Sequence, residues 1–146
     1  GQAQRKKSVR QKLNAMGTEF KDKNVLIVDD SVVRGTTSQQ IVQMARVAGA
    51  NNVIFTSAAP PVRFPHVYGI NMPSRHELIA YNRSILEIQD KLSIDKMIYQ
   101  DVNDLKDSII EDSFVEHLDL SCFTGDYVTG TITKEYLDWV EKEYLS

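Results

Sequence analysis

Apolar positions along the chain change period several times, and each change marks an element. Val25-Leu26-Ile27-Val28 is a continuous run rich in β-branched residues, the pattern of a strand buried on both faces of a parallel sheet. Ile41, Met44, Ala45 and Ala48 then recur at i, i+3, i+4 and i+7 and stop at Gly49, which predicts a helix closed by a glycine cap. Val53-Ile54-Phe55-Thr56-Ser57-Ala58 reads as a second strand. Strand, helix and strand in about 35 residues make a βαβ unit, which is right-handed almost without exception.

Pro60, Pro61, Pro65 and Pro73 make residues 60–73 a stiff, extended connection. Two capping boxes follow, Ser74-x-x-Glu77 and Ser84-x-x-Glu87, each predicting a short helix. Met97-Ile98-Tyr99 suits a third strand, with Val102, Leu105 and Ile109 on the helix after it. Residues from Cys122 to Tyr127 are turn-rich, and Thr133 is placed to cap a last helix carrying Tyr136, Leu137, Val140 and Tyr144. Residues 1–20 are rich in Lys, Arg and Gln and read as a mobile loop or a frayed helix. The fold class is α/β.

At 146 residues and 42% hydrophobic, the chain can bury one core without staples. No apolar run approaches the ~20 residues of a membrane span, and the polar first 24 residues lack the apolar stretch of a signal peptide. Cys122 is the sole cysteine, which excludes an intrachain disulfide and an all-cysteine metal site. Charge divides unevenly. Residues 1–24 hold seven Lys/Arg against two acids, while the rest holds ten basic and eighteen acidic residues. A basic segment on an acidic body fits a nucleic-acid arm, a loop for a small anion, or a solvated face; the acidic body argues against a broad nucleic-acid platform.

The segment Asp29-Asp30-Ser31-Val32-Val33-Arg34-Gly35-Thr36-Thr37-Ser38 carries the chemistry. Two carboxylates leave the end of a buried parallel strand, where open α/β sheets place their ligands. Gly35 lets the backbone approach a ligand, and Thr36, Thr37 and Ser38 offer hydroxyls. The following helix N-terminus adds free N–H groups and partial positive charge. Together these make an anion cradle suited to a phosphate monoester. Carboxylates so close to a phosphate make sense if they hold hydroxyls or a hydrated Mg²⁺. The plain alternative is a strand exit followed by a helix cap. A second is a response-regulator receiver domain, whose first strand also ends in an acidic pair. A receiver needs a phosphate-accepting Asp at a later strand end, whereas the 53–58 strand runs into Ala59-Pro60-Pro61 and Ser74–Tyr81 contains no Asp.

Residues 25–38 resemble the phosphoribosyl-pyrophosphate (PRPP) signature of type I phosphoribosyltransferases. Within them, Arg5-Lys6-Lys7-Ser8-Val9-Arg10-Gln11-Lys12-Leu13-Asn14 resembles the flexible loop of the glutamine PRPP amidotransferase family. Ser57-Ala58-Ala59-Pro60, Tyr68-Gly69-Ile70, Glu77-Leu78-Ile79-Ala80 and Phe123-Thr124-Gly125-Asp126-Tyr127-Val128-Thr129 match it further, in order. The resemblance implies a three-layer, parallel-sheet type I phosphoribosyltransferase fold, N-terminally truncated, with a C-terminal helical tail. It divides the chain into a basic lid at 1–24, a partial core at 25–115 and a tail at 116–146.

The resemblance also implies roles. Asp29 and Asp30 would hold the ribose hydroxyls and place Mg²⁺. Ser31, Val33, Arg34, Gly35, Thr36 and Thr37 would wrap the 5-phosphate through N–H groups and hydroxyls. Lys12 would close over bound PRPP, with Arg10 and Arg5 beside it, and Leu78 matches a position lining an apolar ammonia passage. The implied reaction is the first committed step of purine synthesis, in which glutamine-derived ammonia displaces pyrophosphate from PRPP to give 5-phosphoribosylamine. The family's glutaminase domain lies outside this chain, so the chain alone is expected to lack full amidotransferase turnover. One branch of the family carries an iron–sulfur cluster; where its cysteines stand this chain has His66 and Asp119, leaving only Cys122, which implies no cluster. Further expectations are a cytoplasmic homo-oligomer, purine nucleotides as feedback inhibitors, and no nucleic-acid or membrane partner. A competing function is a non-catalytic PRPP- or nucleotide-binding regulator that keeps the fold.

Overall fold

The computed structural model describes residues 17–70, 72, 74–111 and 113–145. Strands β1 (Asn24–Asp29), β2 (Asn52–Ser57) and β3 (Lys96–Tyr99) form one parallel sheet in chain order. Asp29 lies opposite Ser57, and Ser57 opposite Tyr99, so all three strands end level. A short helix α1 (Gly17–Phe20) precedes β1, and α2 (Thr36–Val47) joins β1 to β2. The proline-rich connection, a 3₁₀ turn (Arg75–Glu77) and α3 (Ile85–Leu92) lead from β2 to β3. Helices α4 (Val102–Glu111), α5 (Ser121–Thr124) and α6 (Lys134–Leu145) follow.

Strand alternation sends Val53, Phe55 and Met97 to one face, where they pack with Val42 and Ala45 of α2, Ile88 and Leu92 of α3, and Ile79. On the other face Leu26 is 58% and Val28 68% exposed. The apolar run of β1, read as burial on both faces, is therefore covered on one. A run of this kind records suitability for two covering layers, and among the described residues helices supply only the first. We expect the chain by itself to self-associate through this face, because an open apolar sheet surface is an association site. Sedimentation velocity should show Leu26→Glu with Val28→Glu restoring a monomer; an unsubstituted chain that stays monomeric when concentrated would contradict this.

Three helical readings shift. The buried face of α2 is Ser38, Val42 and Ala45, turned from the anticipated stripe, whose Ile41, Met44 and Ala48 are half-buried. The Ser74 box opens a 3₁₀ turn, not an α-helix, because the chain returns to extended backbone at Leu78 (φ −71°, ψ 123°). That return lets the Ile79 N–H donate to the Val33 carbonyl at 2.8 Å. Helix α4 buries no residue, so its Val102–Leu105–Ile109 stripe is amphipathic without a core partner among the described residues. The Ser84 box and the Thr133 cap form as read, with Glu87 N–H on Ser84 Oγ at 3.3 Å and Tyr136 N–H on Thr133 Oγ1 at 3.2 Å. Pro73 and the Tyr144 side chain lie outside the described residues.

Several links fasten the tail. The Cys122 carbonyl accepts N–H bonds from Arg63 and Phe64 at 2.9 and 3.0 Å, and the Tyr127 hydroxyl donates to the Pro65 carbonyl at 2.7 Å. The blocks at 68–70 and 123–129 also meet, with the Tyr68 hydroxyl 3.0 Å from Thr129 Oγ1 and its ring edge-on to Tyr127. Helix α6 is held by Arg75, whose Nε and Nη2 donate to Glu141 Oε1 and Oε2 at 2.9 and 3.0 Å, with Asp138 also bound. The Arg75 backbone N–H adds a 2.8 Å bond to Glu141, and the Tyr81 ring lies 5.7 Å from the guanidinium.

Candidate functional site at the strand ends

The acidic pair leaves β1 at the carboxyl edge of the sheet. The Asp29 and Asp30 carbonyls accept N–H bonds from Ala58 and Ala59, both at 2.9 Å, so pairing with the chain beyond β2 steers this exit. Asp29 Oδ1 accepts the Asp30 N–H at 3.0 Å, and Asp30 Oδ1 accepts the Ser31 N–H at 2.6 Å. Asp29 is half-buried and Asp30 exposed. No cation among the described residues pairs with either carboxylate.

Val32, 1% exposed, anchors the loop in the core. Gly35 is buried in the left-handed region at φ +79°, and α2 starts with no side-chain cap. A Cβ at Gly35 would sit 2.3 Å from Ile79 Cδ1, so glycine is required both by conformation and by close approach. Thr36 and Thr37 are exposed at the first turn of α2, while Ser38 is buried. The structure thus brings Asp29, Asp30 and the whole 31–37 loop together beside an uncapped, twelve-residue helix. Free amides, hydroxyls and a helix dipole converge on one side, with two oxygen-donor carboxylates next to them.

Arg34 turns its side chain to Glu77, Nε to Oε1 at 3.1 Å, leaving its backbone N–H as its share of the loop. Lys12, Arg10 and Arg5, and with them the proposed lid up to residue 16, lie outside the described residues. Leu78 is fully enclosed, at 0% exposure. His66 Nε2 meets Asp119 Oδ2 at 3.2 Å, while its Nδ1 accepts the Tyr68 N–H at 3.3 Å. Hydrogen bonds from Ser121, ahead of His66, hold the Asp119 carboxyl below its usual range. Cys122 is half-buried, and burial pushes its thiol up, the environment of a packed rather than a nucleophilic cysteine.

Residues to which the sequence patterns gave no role at the site also frame it. Ser57 and Tyr99 stand in the row begun by Asp29, and the Tyr99 hydroxyl is buried without a partner. Glu77 and Ile79 brace the loop from below; the Ser74 box and the block at 77–80 had marked them, but neither gave them this role. A cavity of about 820 Å³ opens between the 65–77 connection and α6, lined in part by Val67, Met72 and Trp139, and touches the loop only at Arg34.

This arrangement is a parallel α/β domain with an acidic strand end, a Gly35 turn and an uncapped helix start at one edge of its sheet. No family model matches the chain. It is 58% identical over 139 residues to the amidophosphoribosyltransferase of Haemophilus influenzae, covering 94% of this chain and 28% of that protein. It is 56% identical over 144 residues to that of Pasteurella multocida, covering 98% of this chain and 29% of that protein. Among solved structures it resembles a Bacillus subtilis glutamine PRPP amidotransferase complexed with ADP and GMP, at 38% identity and TM-score 0.69 over 77% of this chain and 25% of that one. The chain is thus similar to a C-terminal portion of amidophosphoribosyltransferases, spanning about 28% of the length of the curated relatives it matches.

Proposed function

We propose that this chain supplies the PRPP-binding half-site of an amidophosphoribosyltransferase, a pentosyltransferase that makes 5-phosphoribosylamine for purine synthesis. The observation that carries it is the pair Asp29–Asp30 at a strand end, next to a Gly35 turn and an uncapped helix start. The amides and hydroxyls of 31–37 bind the 5-phosphate, and Asp29 and Asp30 take the ribose hydroxyls.

The acidic pair also suits Mg²⁺. Among the described residues no third His, Cys, Asp or Glu joins it, which fits an ion that keeps water and substrate phosphates as its other ligands. When bound, Mg²⁺ would draw negative charge from the departing pyrophosphate. The chain's own residues orient the sugar by its hydroxyls and fix its phosphate end, leaving C1 presented to ammonia. Lys12, with Arg10, is assigned by resemblance to the closing lid, where positive charge would stabilise the leaving group and exclude water.

Purine nucleotides share the phosphate end of PRPP and would compete at this cradle; the Bacillus subtilis relative is complexed with ADP and GMP. We place the chain in the cluster-free branch, since one thiol beside a His66–Asp119 contact cannot ligate an iron–sulfur cluster. No described helix is long and apolar enough to cross a membrane; a cytoplasmic homo-oligomer is the setting that this metabolic role calls for.

Calorimetric titration of the full-length protein with PRPP and Mg²⁺ tests the reading. Saturable binding is expected, with Asp29→Asn and Asp30→Asn each weakening it by about tenfold or more, since each removes a charge-assisted contact. Binding indifferent to both substitutions would refute it. Intact binding without turnover once the glutaminase portion is present would favour the non-catalytic regulator.

A further inference from the structure

Residues 74–80 run beneath the phosphate loop and touch it three times. Ile79 gives its N–H to the Val33 carbonyl and its side chain to Gly35, while Glu77 takes Arg34. We propose that Glu77 is a positioning residue: it holds the Arg34 guanidinium away from Asp29 and Asp30, so that both carboxylates stay open to a cation and to sugar hydroxyls. The inference rests on the phosphoribosyl reading above.

Glu77 divides its two oxygens. Oε1 meets Arg34 Nε at 3.1 Å, and Oε2 accepts the Ser74 N–H at 3.3 Å. The ion pair is half-exposed on both sides, 54% and 50%, so its contribution to folding is small. Its consequence lies in where Arg34 sits. Arg34 is the closest basic residue in sequence to the acidic pair, only four positions beyond Asp30, and the pair has no cation of its own among the described residues. A guanidinium never gives up its charge and binds carboxylates in a bidentate fork. Released from Glu77, it would turn to Asp30, occupying oxygens that the ligand and its metal require. Loop shape does not depend on the pair, because Val32, Gly35 and the Ile79–Val33 bond already set the backbone.

Glu77→Gln separates the two duties, because the amide oxygen still accepts the Ser74 N–H while the charge facing Arg34 is lost. In the full-length protein, Glu77→Gln should weaken Mg²⁺–PRPP binding about fivefold, the upper end for a half-exposed pair, and raise the Mg²⁺ concentration needed for half-saturation. Arg34→Met removes the competitor and keeps the backbone N–H, so adding Glu77→Gln to Arg34→Met should cost nothing further. Loss of mere structural support would not be relieved in this way. If Glu77→Gln fails to fold, Glu77→Asp, which keeps charge but shortens reach, takes its place in the same cycle. Wild-type affinity in the single variant, or a penalty that persists in the Arg34→Met background, overturns the inference. An unsubstituted protein that does not bind PRPP overturns the phosphoribosyl reading itself.

Discussion

Arg75→Ala will cost about 3–5 kcal/mol of folding stability, the usual result of stripping one partner from a buried ion pair. Arg75 is 7% exposed and Glu141 8%, and the guanidinium grips the carboxylate through two side-chain bonds. Alanine leaves Glu141 enclosed with only the exposed His76 ring near it, Nε2 to Oε2 at 3.5 Å, and Asp138 loses its Arg75 partner as well. Helix α6 contributes one buried apolar side chain among those described, Leu137, so little else holds it. Thermal unfolding should move down by more than about 10 °C. Arg75→Met with Glu141→Met should lose less than Arg75→Ala, because no charge is then left stranded. A change below about 1 kcal/mol, the range of surface pairs, would show that α6 is held by other means.

This latch has a pH signature. The hydrogen bonds from Arg75 hold the Glu141 carboxyl below its ordinary 4.5. A carboxyl lowered in the folded state stabilises fully above its ordinary value and loses that contribution as pH falls through the lowered one. Stability therefore stays level down to about pH 4.5 and declines on the acid side. Glu141→Gln should flatten that acid limb, as read by denaturant melts at successive pH values.

Gly35→Ala will disable the anion cradle. At φ +79° an L-residue is strained, and its Cβ would sit 2.3 Å from Ile79 Cδ1 and 3.3 Å from Leu92 Cδ2. Left-handed strain of about 1–2 kcal/mol adds to an overpacking cost of about 1–3 kcal/mol. Ile79 Cδ1 can turn aside at some cost in packing, but the backbone strain at φ +79° is relieved only if the loop moves, which takes the amides of 35–37 off the ligand. We expect PRPP affinity to fall more than about tenfold, the equivalent of 1.4 kcal/mol, while far-UV circular dichroism is retained. Ile79→Val deletes the Cδ1 atom, so in the double variant part of the stability should return and the backbone strain should remain. Unchanged affinity in Gly35→Ala would mean that the cradle does not use this turn.

Much of the site was legible because its signals are local. A β-branched run, two carboxylates and Gly-Thr-Thr within fifteen positions state a strand, a strand tip and a helix start, and β1, the loop and α2 appear there. The boxes at Ser74 and Ser84 were readable for the same reason, since a capping residue and its partner lie three positions apart. The Ser74 box misled only in element type, because a tertiary bond from Ile79 to Val33 ends the turn after three residues.

Nothing local announces that Arg75 belongs to Glu141, sixty-six positions away, or that Glu77 belongs to Arg34. Opposite charges are abundant in this chain, and their pairing depends on which surfaces meet after the sheet and helices have packed. The same holds for the open face of β1. Alternation tells which residues share a face, but exposure depends on what lies against it, and Leu26 and Val28 meet no covering layer among the described residues. Element identity and ligand chemistry are thus written in short-range pattern, whereas partner choice and burial arise from packing between distant segments.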